Sequence, residues 1–247
     1  MNGLENPVMM SFAQVRNKFD RVVLSLAIVG TLLSGCRAQS DASSRVMETV
    51  TSRALPGQVR RLIGSLEDFW TRRFSEKGLS FRAPKVFLLD DKSRSEECGE
   101  VADEPMFYCR KGHWIGLAPG VYGRMIQGGE RRDLAVLAMT LAHEYGHAVQ
   151  FSFPGLKERA DSGKIQPIEI YRKELHADFL SGYWYGHAPG IQAEEGDEAE
   201  LESLMSIIGD PKEFLYPNAA NRQKAFKSGV ACQTNPLPLS SFEEPRC

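Results

Sequence analysis

The chain has 247 residues, with 30 Lys and Arg against 32 Asp and Glu and a formal net charge of −2. That length is enough for one domain with a real core. The charge is near neutral and evenly mixed, and no basic stripe is present, which excludes an electrostatic nucleic-acid binder.

Arg16, Lys18 and Arg21 precede an apolar run from Val22 to Leu33. A charged segment followed by so short an apolar one reads as an export signal, because a transmembrane helix needs about 20 apolar residues. The run ends Leu33-Ser34-Gly35-Cys36, which resembles the lipobox of bacterial lipoproteins. On that resemblance residues 1–35 are a signal peptide, and Cys36 is lipidated and heads the mature chain. An ordinary secretory signal or an uncleaved anchor is the competing reading. The first nine residues are unusual ahead of such a signal, and Met9 or Met10 offers an alternative start. Arg37 follows the cysteine, not the aspartate that retains lipoproteins at the inner membrane. In a host with two membranes this points to the periplasmic face of the outer membrane. Residues 37–52 are polar and Ser-rich and read as a flexible tether. The remaining segment, 53–247, is the folded domain.

Val59 to Phe74 carries apolar residues at helical spacing and reads as an amphipathic helix. Pro84 to Leu89, Met106 to Cys109 and Trp114 to Leu117 read as strands, the last two as a hairpin. The run from Asp133 to Phe151 is apolar on most faces and reads as a buried helix ended by Pro154-Gly155. A polar loop is expected from Gly155 to Pro167. Ile168 to Gly186, Ala199 to Ile208 and Pro211 to Lys227 read as further helices. The acids from Glu194 to Glu202 lack the spacing of a calcium loop and read as a solvated loop and helix start. The fold class is α+β, a small sheet packed on a helical body.

Four cysteines remain once Cys36 is set aside, an even number in an exported chain, which argues for two disulfides. Of three connectivities, Cys98–Cys109 and Cys232–Cys247 join the pairs closest in sequence.

The buried helix contains His143-Glu144-Tyr145-Gly146-His147. Histidines four apart share a helix face about one turn apart, so both imidazoles reach one zinc ion. Glu144, about 100° round the helix from His143, can face a reacting water instead of the metal, as a general base must. A catalytic zinc has three protein ligands. Glu174 and Asp178, four apart in the next helix, also share a face, and His176 points away from it. Glu174 is therefore the expected third ligand. Asp178 is expected to accept the free N–H of a ligand histidine and fix its tautomer. His176, His113 and His187 read as structural.

These residues carry a family resemblance. The run Leu141 to Gln150, then Glu174-Leu175-His176-Ala177-Asp178 and Gly182-Tyr183-Trp184, resembles the neutral zinc metallopeptidase family of bacteria. Cys98-Gly99, Phe107-Tyr108-Cys109, and Asn221-Arg222 through Phe226 and Gly229 resemble its flanking segments. His176 stands where the family has Gln. The resemblance implies a zincin-like fold with the motif helix as its centre. It also implies zinc-dependent peptide hydrolysis with one zinc per chain, on His143, His147 and Glu174, and Glu144 as base. In zincins an edge strand binds the substrate backbone by β-augmentation, and Trp114 to Leu117 is the strand expected to do so. Related zincins often carry a histidine near the closing arginine that can steady the oxyanion. Here Tyr216-Pro217 occupies that place, and Tyr216 can donate through its hydroxyl. His187 and Tyr183 are rival donors that the sequence does not rank.

The expected function is a membrane-anchored zinc endopeptidase acting on envelope or secreted proteins. A zinc amidase acting on cell-wall peptides would share the chemistry. The reading from another class is a zinc-stabilised envelope lipoprotein that binds or assembles other proteins and cuts little. The two part at Glu144, which a structural zinc site does not need.

Overall fold

A computed structural model describes residues 55–89, 98, 106–117, 131–161, 166–189, 205, 216–243 and 247. The expected signal peptide, lipidated Cys36 and tether lie outside the described residues. So do the acidic cluster and, apart from the buried, helical Met205, the helix expected over Ala199 to Ile208. All described residues belong to one compact unit, Ser44–Cys247.

Five helices and one sheet are described: α1 (Gly57–Ser75), β1 (Lys85–Leu88), β2 (Met106–Cys109), β3 (Trp114–Leu117), α2 (Arg131–Gln150), α3 (Pro154–Asp161), α4 (Pro167–His187) and α5 (Ala219–Ala231). This is the expected α+β, zincin-like arrangement, with the motif histidines on a buried helix. Among the described residues no helix is long and apolar enough to cross a membrane.

The helix ends follow local chemistry. Pro167 opens α4, where its missing N–H would have lacked an intrahelical partner anyway. The Gln166 backbone N–H donates to the Glu169 carboxylate at 3.1 Å. Asn218 caps α5, its side-chain oxygen accepting from the Asn221 N–H at 2.9 Å. The cap leaves Tyr216 before the helix, not inside the one expected from Pro211. A second difference is α3. The sequence places a loop after Pro154-Gly155, but Pro154 starts a new helix that buries Leu156 and Ala160.

The sheet runs β1-β3-β2, with β1 parallel and β2 antiparallel to β3. Trp114–Leu117 is therefore the central strand, hydrogen-bonded on both sides, and cannot add a substrate strand. That corrects the expectation above, and the edge that faces the motif helix belongs to β2. Tyr108 of β2 stacks on Phe151 just past α2, ring centroids 6.1 Å apart. In the hairpin turn, His113 holds a left-handed φ of 54°. Its ring bonds the Tyr108 hydroxyl and the Arg82 carbonyl, both at 2.7 Å. This histidine is structural. Cys98 is joined to Cys109 and Cys232 to Cys247, with Cα atoms 5.7 and 5.1 Å apart.

Close helix contacts bring the site together. A Cβ on Gly146 of α2 would lie 2.9 Å from the Ala177 carbonyl oxygen of α4, so only glycine lets these backbones meet between the two motifs. A Cβ on Gly182 of α4 would lie 2.0 Å from the Phe226 oxygen of α5, and one on Gly229 2.0 Å from the Phe179 oxygen. Neither obstacle is a flexible side chain, so the helices must part to admit a methyl. Gly182→Ala should cost stability at or beyond the upper end of the ~1–3 kcal/mol typical of overpacking. For a domain of this size that lowers the melting temperature by roughly 6–12 °C. Gly64→Ala in α1, where no described atom lies within 4 Å, is the control and should be neutral or mildly stabilising. Equal melting of the two variants would contradict the packing account.

Candidate metal centre

His143, His147 and Glu174 are buried and each offers a ligand atom within 4.8 Å of the others. The Glu174 Oε2 lies 3.3 Å from His143 Nε2 and 3.6 Å from His147 Nε2. The other ring nitrogens are already engaged. His143 Nδ1 meets Asp178 Oδ1 at 2.8 Å. His147 Nδ1 meets Gln150 Oε1 at 3.0 Å, and Gln150 Nε2 donates to the Lys173 carbonyl at 2.8 Å. Both imidazoles are thus fixed as Nδ1–H donors with Nε2 turned toward one carboxylate oxygen.

This arrangement fits zinc. Bonds of roughly 2.0–2.1 Å in a tetrahedral site place ligand atoms about 3.3–3.4 Å apart, close to the two separations observed. Two imidazoles and a carboxylate are a known catalytic donor set, and three protein ligands leave a position open. Two neutral imidazole nitrogens and an ionised carboxylate are the states a metal requires. Burial opposes the charged form of His143, but Asp178 and Glu174 outweigh it and raise its pKa to about 9, so a proton competes with metal there. Burial also works against the Glu174 carboxylate, yet Lys173 and the histidines hold it well below the usual range.

Asp178 is itself held. Arg222 of α5 donates through Nη2 to Asp178 Oδ1 at 2.8 Å, and both side chains are buried. The glycine contacts between α4 and α5 bring that guanidinium within reach. Glu144 is buried beside the ligands but is not one of them. Burial first, then Glu174, pushes its carboxyl up to about 7, and His143 pulls the other way. A bound cation would add to that downward pull. Glu144 also accepts the backbone N–H of Tyr108 on β2, so the strand edge faces the base.

The remaining candidates separate. Tyr183 and His187 lie nine and thirteen residues past Glu174 in the same helix, roughly 13 and 20 Å along its axis. Tyr183 packs instead on Phe69 and Trp70 of α1, and His187 Nδ1 bonds the Tyr183 carbonyl at 2.9 Å. Neither is a site residue. Tyr216 is 40% exposed and lies close enough to Lys173 to influence its charge. His176 is buried, and neither ring nitrogen hydrogen-bonds to any described residue. Burial lowers its pKa to about 3, so it stays neutral inside the protein.

A family model described as "putative neutral zinc metallopeptidase" matches residues 22–230. The chain belongs to that family. No curated protein and no solved structure matches it. Within the family's terms the chain is a zinc metallopeptidase, and its His143, His147 and Glu174 group can hold the one metal ion required. Three residues of this metallopeptidase's centre had no assigned role in the sequence. Gln150 lies three residues after His147, a spacing that did signal a shared face. Lys173 sits one position from Glu174 and Arg222 on a distant helix, and neither place carries a periodic signal.

Proposed function

We propose that this chain is a membrane-anchored zinc endopeptidase cutting envelope or secreted proteins. The observation that carries the reading is Glu144, a buried carboxylate outside the ligand set, held by the Tyr108 N–H of a strand that is at the sheet edge among the described residues. Zinc held by His143, His147 and Glu174 would polarise the scissile carbonyl and activate water. Glu144 takes the proton of the attacking water on its carboxylate and passes it to the leaving amine. Asp178 and Gln150 keep the ligand imidazoles in one tautomer and one orientation. The β2 edge aligns an extended substrate by main-chain hydrogen bonds, beside the Tyr108 N–H that holds Glu144. The Tyr216 hydroxyl, on the exposed side, donates to the oxygen on which negative charge develops.

The anchor rests on Leu33-Ser34-Gly35-Cys36 after the short apolar run, and the outer-membrane placement on Arg37. Two-chain or three-chain lipidation gives stable attachment. Peptides blocked at both ends test the activity, with fatty-acid labelling of wild type and Cys36→Ser in parallel. Internal cleavage stopped by a chelator, and label lost in Cys36→Ser, are the expected results. Cleavage only of peptides with a free terminus would replace the endopeptidase with an exopeptidase. Labelling indifferent to Cys36 would remove the anchor.

A further inference from the structure

Lys173 supports two of the three ligands, His147 through Gln150 and Glu174 directly. Its backbone carbonyl accepts from Gln150, which holds His147. Its side chain reaches Glu174: Nζ lies 3.0 Å from Oε1. The other oxygen, Oε2, is the one facing both histidine Nε2 atoms. The lysine side chain is 24% exposed against 9% for that of Glu174, so it stands at the open side of the centre.

A carboxylate beside a divalent ion can bind through one oxygen or through both. Bidentate binding would occupy a position that water or a scissile carbonyl needs. A charge-assisted bond from an ammonium to one oxygen competes directly with that second metal bond. Lys173 is connected to α4 at the residue before Glu174, so this competitor cannot diffuse away. We infer that Lys173 is a positioning residue that confines Glu174 to one-oxygen ligation through Oε2 and so keeps the centre open for water and substrate. The inference rests on the ligand set of the proposed function.

The test uses cobalt(II) in the full-length protein in place of zinc, since its visible bands weaken as coordination number rises above four. Wild type, Lys173→Met and Lys173→Arg are titrated with cobalt. Wild type should give the strong bands of a four-coordinate site. Lys173→Met should give weaker bands, because Oε1 is released to the metal. Lys173→Arg, which keeps a cationic donor, should restore them. Turnover of zinc-loaded Lys173→Met should fall roughly 10–100-fold, as for other residues that orient ligands, with KM moved less. Lys173→Leu serves for the same comparison if the Met variant does not fold. Bands of wild-type strength in the Met or Leu variant overturn the inference whatever happens to turnover. A wild type that takes up no cobalt overturns the ligand set, and this inference with it.

Discussion

Glu144→Gln should abolish hydrolysis, by a factor of about 10²–10⁴ or more, while zinc content stays at one per chain. The substitution conserves shape and volume, so no cavity forms in the buried helix. The amide oxygen can still accept the Tyr108 N–H. What disappears is the ability to take a proton from water. The group that can hold the metal, His143, His147 and Glu174, is untouched. Stability should move in the opposite direction from activity. Burial lifts the Glu144 pKa from 4.5 to about 7. Between these values the unfolded chain gives up a proton that the folded one keeps, so stability falls as pH rises through that window. The cost is fully present above it and absent below pH 4.5. Glutamine carries no such cost. Metal-free Glu144→Gln should therefore melt above metal-free wild type at pH 8, and the gap should close toward pH 4. A variant that still cleaves at more than a tenth of the wild-type rate would remove Glu144 from the mechanism.

His147→Ala should lose the metal. Two ligand atoms remain, and neither Glu144 nor His176 is placed to replace the third. Hydrolysis should drop to the level of chelated wild type. Asp178→Ala should act more mildly, because His143 keeps Nε2 and loses only the partner of Nδ1. Its zinc affinity should fall roughly 10–100-fold. The same change strands the buried Arg222 guanidinium, so Asp178→Ala should also be the less stable protein. His176→Ala should keep the metal and lose some stability to the space it leaves. Equilibrium dialysis against a zinc buffer ranks all three. Stoichiometric zinc in His147→Ala, or loss of it in His176→Ala, would break the ligand assignment.

The parts of this protein that were legible were those written in local spacing. Four-residue separations put His143 with His147 and Glu174 with Asp178 on shared faces, and apolar runs located α1, α2 and α4 to within two residues, but they missed α3 and started α5 eight residues early. The strand segments were legible too, but their order was not. Hydrogen-bond partners across a sheet are set by packing, so nothing in the spacing of Trp114–Leu117 shows that β1 and β2 flank it. Pro154 signals a stop after α2, although a proline is equally suited to start the next helix, as it does here. Tyr183 and His187 looked eligible as oxyanion donors until the length of α4 separated them from Glu174. Arg222 matched a family motif without a role. That its charge answers Asp178 follows from the packing of α5 on α4, a long-range contact that no spacing signals.

The central claim, a peptidase that works through one zinc, is tested most directly by reconstitution. Metal is stripped from the full-length protein, zinc is returned in measured steps, and the rate of peptide cleavage is followed. The rate should start near zero, rise in proportion to zinc added, and break sharply at one zinc per chain. Cleavage that ignores the added zinc would contradict the account. So would a protein that binds its full equivalent of zinc and cleaves nothing, which would instead describe a zinc-stabilised scaffold.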